Sequence, residues 1–106
     1  MSARDEVVNF IEENREQYIK AACEIWDNPE LAFNEDKSSA ILINLLSDAG
    51  FNITSGVAGM TTAFIAEAGS GGSTIGFMGE YDALPNMSQR SEVTYRDPLV
   101  EDGPGH

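Results

Sequence analysis

The chain has one cysteine, one histidine and six basic residues among its 106. Each scarcity closes off a class of function. A single thiol, Cys23, can form no intrachain disulfide and complete no cysteine-based zinc site. Six Lys and Arg stand against 18 Asp and Glu, a formal net charge of -12. Such a balance is the wrong sign for nucleic acid, whose phosphates need cations, and for an anionic membrane surface. No apolar run approaches the ~20 residues of a membrane span. The opening stretch MSARDEVVNF lacks a signal-peptide pattern, so the expected setting is cytoplasmic and reducing. The glycine-rich GSGG at residues 69–72 lacks the lysine and the strand-to-helix context of a phosphate loop. No internal repeat is visible.

What is present suits one small domain. The apolar residues Val7, Val8, Ile11, Tyr18, Ile19, Ala22, Ile25 and Trp26 recur at helical spacing, which predicts one helix over residues 5–26. Pro29 in the DNPE segment ends it. A second helix is predicted in EDKSSAILINLLSDAG, with Ser38, Ile41, Leu42, Leu45, Leu46 and Ala49 facing inward. Asn34 is its expected N-cap and Gly50 its stop. After Gly50 the period changes to two. Strands are predicted at 51–57, 61–68 and 73–81, the last two as a hairpin through GSGG. From Asn86 on, the chain is polar, without a clean period, and reads as a long loop. Two helices over three strands give an α/β layer. Residues 1–85 form a partial α/β domain and residues 86–106 the loop. So thin a domain looks like the start of something larger.

The third predicted strand ends at two acids, Glu80 and Asp82. If the strand runs through them, both side chains share a face. Such a pair can hold a metal, act as acid or base, or support a liganding histidine. On spacing alone the plainer reading is an ordinary polar strand end in an acidic protein. His106, the last residue, reads as an exposed terminus unless partners surround it. Cys23 reads as a small buried hydrophobe, since Glu24 is the wrong neighbour for a reactive thiol. Trp26 and Phe33 are expected in the core.

Three segments in order, IWDNPELAFNE, LLSDAGFNITSGVAGMTTAFIAEAGSGG and TIGFMGEYDALPNMSQ, resemble the M20 peptidase family of metal-dependent amidohydrolases. Within it they are most similar to the aminobenzoyl-glutamate hydrolase branch. The resemblance covers nearly the whole chain and rests on Trp26 to Glu30, Ala49 to Phe51, and Gly79 to Pro85 with Ser88 and Gln89. It implies the N-terminal portion of a zinc-exopeptidase-like catalytic domain. It also implies hydrolysis of an amide in an N-acyl amino acid or an aminobenzoyl-glutamate-like small molecule. A divalent metal pair, zinc or manganese, would serve the whole protein, with a glutamate farther along as general base.

Peptidase members carry Gly-His-x-Asp where this chain has Gly79, Glu80, Tyr81 and Asp82. Asp82 therefore matches the aspartate that supports the catalytic site, while Glu80 replaces the metal-binding histidine. GPGH, residues 103–106, matches the opening of a Gly-His-x-Cys-Gly-His segment, with His106 at a flanking position. The resemblance thus places the cysteine and second histidine ligands, the catalytic glutamate and a lid domain beyond residue 106. The expectation is a chain that holds no metal stably and is inactive alone. The alternative is a small acidic interaction or regulatory subunit, pairing with copies of itself or with longer relatives through apolar surface. A third outcome is weak folding without a role.

Overall fold

A computed structural model describes residues 1–106. The elements run α1 (Ala3–Glu13), α2 (Arg15–Asp27), α3 (Asp36–Asp48), β1 (Asn52–Ser55), a 3-10 turn at Val57–Gly59 and β2 (Phe64–Glu67). The α/β class holds, with two departures in the elements themselves.

The first departure is the predicted single N-terminal helix, which is two helices. α1 opens on a capping box: the Asp5 N–H donates to the Ser2 hydroxyl, and the Asp5 carboxylate accepts from the Ser2 N–H and hydroxyl. The Ser2 backbone bond, then its hydroxyl, hold the Asp5 carboxyl below its ordinary value. α1 ends at Asn14, whose φ of -104° and ψ of 9° leave helical geometry. The Asn14 amide donates to the Phe10 carbonyl at 2.8 Å, the kind of local side-chain bond that competes with a helix interior. Apolar periodicity cannot register such a break. α1 buries none of its residues, and Val7, Val8, Phe10 and Ile11 are all exposed.

α2 packs on α3, and α3 lies across both strands. The predicted Asn34 cap is not used. Instead Glu30 reaches over from the preceding segment: its carboxylate accepts the N–H groups of Lys37 at 2.9 Å and Ser38 at 2.7 Å, and the Ser38 hydroxyl at 2.8 Å. Burial acts to raise the Glu30 pKa, but these bonds and the Lys37 charge outweigh it and hold the carboxyl below its ordinary value. The other end follows expectation. Gly50 sits at φ 93°, its N–H bonds the Ser47 carbonyl, and the Phe51 N–H bonds the Leu46 carbonyl. That pair of bonds is the Schellman arrangement, which needs the left-handed residue glycine supplies.

The second departure concerns the sheet, which has two antiparallel strands in the register Asn52↔Glu67 to Ser55↔Phe64. The hairpin forms between the first and second predicted strands, not the second and third. The third predicted strand is absent from the sheet: residues 69–82 make no backbone–backbone hydrogen bond. Ile75, Phe77 and Met78 are 78%, 96% and 94% exposed. The physical reason is coverage. A segment apolar on both faces needs a strand on each edge and cover on each face, and one short hairpin under one helix supplies neither.

Burial is correspondingly sparse. Ala21 and Ala83 are the only buried apolar side chains. The radius of gyration is 16.2 Å, against about 13 Å for a compact domain of this length. Phe33, expected in the core, is exposed at φ 71°, while Trp26 is half-buried.

Residues 86–106 contain no helix or strand but fold back on the body. Leu84 and Gly105 exchange backbone hydrogen bonds of 2.8 and 3.0 Å, and the Ser88 N–H bonds the Gly103 carbonyl. Arg90 pairs with Asp97 at 2.8 Å, and the Gln89 side chain bonds the Tyr95 carbonyl and the Asp97 N–H.

Candidate functional site

Asp82 and Glu80 lie just before the point where the chain is anchored to the body. The Ala83 N–H donates to the Glu30 carbonyl at 2.7 Å, forming a parallel bridge with the Leu31 segment. Although no strand forms, both acids border one cavity of 530 Å³, lined also by Ala32, Phe33, Glu35, Thr62 and Tyr81. Asp82 is half-buried and Glu80 exposed. Neither carboxylate takes part in an ion pair. The pair read from spacing is therefore brought to one concave surface with both carboxylates uncommitted.

The back wall of this cavity was not legible in the sequence. Glu35, 7% exposed, accepts the Phe33 N–H at 2.7 Å and the Thr62 hydroxyl at 2.5 Å. The Thr62 carbonyl in turn accepts the Tyr81 hydroxyl. The Tyr81 ring rests on Phe64 with centroids 6.2 Å apart. Burial pushes the Tyr81 phenol up, and the nearby Glu35 charge adds to the shift. The sequence signal available is the second glutamate of ELAFNE, at the start of the predicted second helix.

His106 corrects its expectation. Its ring is half-buried, with its centroid 6.1 Å from that of Trp26, and its Nε2 is buried without a hydrogen-bond partner. The Trp26 indole N–H donates to the Gln89 carbonyl at 2.6 Å, so tryptophan, loop and terminal histidine form one cluster. Cys23 is half-buried.

No group of three or more His, Cys, Asp and Glu side chains comes together in a way that could hold a metal ion. His106 lies at a separate hollow, bordered by Ser88, Gln89, Arg96 and Asp102, away from Glu80 and Asp82. The residues present do not fit a two-metal centre. They can offer carboxylate oxygens to a substrate or to groups supplied from elsewhere.

Over 96 residues, 91% of its length, the chain is 38% identical to a curated protein of Escherichia coli (strain K12). That relative is the B subunit of p-aminobenzoyl-glutamate hydrolase. The chain spans 20% of the length of this hydrolase subunit, so four-fifths of the relative has no counterpart in these residues. No family model matches the chain. The likeness read from the three motif segments thus runs on through nearly all of the chain. No helix is long and apolar enough to cross a membrane.

Proposed function

We propose that the chain forms one wall of an amidohydrolase site of the M20 peptidase type. The substrate class is an N-acyl amino acid or an aminobenzoyl-glutamate-like amide, and Asp82 supports the site. The observation that carries this reading is the 38% identity to the hydrolase subunit across 91% of the chain. The uncommitted carboxylates of Glu80 and Asp82 on a shared cavity support it. A zinc or manganese pair would need ligands beyond those assembled here, and so would the general base. The chain alone is therefore inactive, and a cytoplasmic, reducing setting suits its one thiol.

Two experiments test this. The purified chain is incubated with p-aminobenzoyl-glutamate and zinc or manganese, and release of p-aminobenzoate is followed. No release above a metal-only control is expected; turnover abolished by Asp82→Ala would overturn the claim of inactivity. In the second, the chain replaces the matching fifth of the E. coli protein. Hydrolysis by this chimera, reduced about tenfold or more by Asp82→Ala, supports the reading. A folded chimera without hydrolysis counts against it.

A second reading, an acidic interaction subunit, is favoured by the bare apolar residues Ile75, Phe77 and Met78. Mixing the chain with the E. coli protein and measuring co-elution tests that alternative.

A further inference from the structure

We propose that Glu35 is a positioning residue that fixes the acidic segment 80–82 against the body through Thr62 and Tyr81. The meaning of that segment as a catalytic wall rests on the function proposed above, but the positioning itself does not.

Glu35 is a buried carboxylate in a chain already carrying a net charge of -12, and no Lys, Arg or His pairs with it. Burying a charge without a counter-ion is unfavourable unless strong hydrogen bonds satisfy it. Both oxygens are used: Oε1 takes the Phe33 N–H and Oε2 the Thr62 hydroxyl. Thr62, itself 5% exposed, has its hydroxyl committed to Glu35 and its carbonyl to Tyr81. Three stretches far apart in sequence are joined this way: the turn before α3, the connection between β1 and β2, and the segment that carries Glu80 and Asp82.

The second observation is that this segment has almost nothing else. Residues 69–82 make no backbone–backbone hydrogen bond, and the first anchor downstream is the Ala83 N–H on the Glu30 carbonyl. Upstream of Ala83, the Tyr81 hydroxyl is the one hydrogen bond that ties the segment down. Tyr81 lies between Glu80 and Asp82, so what holds its ring sets where the two carboxylates stand on the cavity. Helix α3 does not depend on the Glu35 side chain, because its N-terminal N–H groups are capped by Glu30. Removing Glu35 should therefore loosen the acidic segment and spare the helix.

The test is made on the 106-residue chain by ¹⁵N relaxation. In the unaltered protein, residues 80–82 should have order parameters near ~0.85, the rigid value. Glu35→Ala and, independently, the near-isosteric Tyr81→Phe should lower them below ~0.6 while α3 stays rigid. A spectroscopic readout separates positioning from general support. One of the three tyrosines should titrate above the ordinary value of 10.0. Tyr81→Phe should remove that transition, and Glu35→Gln should move it down by removing the neighbouring charge. The other acids on the cavity, Glu80 and Asp82, are unchanged in these variants. Unchanged rigidity of residues 80–82 in Tyr81→Phe would overturn the proposal, as would α3 loosening together with them in Glu35→Ala. So would a tyrosine titration indifferent to Glu35→Gln. None of these readouts needs hydrolysis, so an inactive chimera and a failure of positioning are told apart.

Discussion

The segment around Glu30, Ala83 and Gly105 and the segment 69–79 differ in how they are held. The first is fixed by many small polar commitments. Glu30 caps α3 with its side chain and takes the Ala83 N–H on its carbonyl. Leu84 and Gly105 are bonded both ways, and Ala83 is 2% exposed. The second carries apolar residues with no partner at all. The contrast teaches that hydrogen bonds, with little apolar burial, give this chain its specific arrangement. The larger apolar side chains of the second segment stay exposed.

The sharpest test of the anchored side is Gly105→Ala. A Cβ at this position would collide with the Met87 carbonyl, and because the clash is with backbone, no rotamer change relieves it. The expected cost is about 3 kcal/mol, or detachment of the tail from Leu84. Loss of the Leu84 and Gly105 amide protection by hydrogen exchange reports it. Retained protection would mean that the two-way bridge is not the anchor it looks to be.

Glu30→Ala comes next. It strips three bonds from the start of α3 and should cost about 2 kcal/mol, read by urea unfolding. Its pH dependence follows from the lowered Glu30 pKa. A carboxyl depressed by folding stabilises above its unfolded value of 4.5 and loses that contribution as pH falls through the lower folded value. The stability gap between the protein and Glu30→Gln should therefore be widest above pH 4.5 and close on acidification. A gap that is flat with pH would break the assignment of the cap to an ionised Glu30.

These anchors also mark where sequence reading stops. The Gly50 end of α3 was legible because its signal is local: one left-handed residue and two bonds within a single turn. The cap of α3 is not legible in the same way, because it comes from Glu30, seven and eight residues before the N–H groups it binds, and not from Asn34. Glu80 and Asp82 are legible as near neighbours, but the strand expected to set them on one face does not form, and they meet at a cavity instead. Glu35 is not legible, because the Thr62 it bonds lies 27 residues away, and no periodicity encodes that. The third predicted strand is absent for a different reason. Its pattern states that it should be buried on both faces and says nothing of what buries it.

A smaller effect is expected at the break between α1 and α2. Asn14→Ala removes the amide that bonds the Phe10 carbonyl and inserts the best helix former. It should stabilise by about 0.5 kcal/mol and raise the helical ellipticity in the far ultraviolet as the two helices join. Unchanged ellipticity would show that the break is set by something other than the Asn14 side chain.

The smallest effect belongs to the bare segment, and it is the most telling. Phe77 is 96% exposed, so Phe77→Ser in the chain alone should change stability by no more than about 0.5 kcal/mol. Truncating a buried phenylalanine typically costs about 3–5 kcal/mol. In the chimera with the E. coli protein, the same substitution should move toward that larger range if the added polypeptide completes the sheet around residues 73–79. Urea unfolding of the two proteins side by side measures the difference. A large cost in the chain alone would mean that Phe77 is already covered, and the contrast between the two segments would fail. A negligible cost in both would mean that the apolar run is surface wherever it is found, and the apolar pattern that predicts a strand there carries no burial at all.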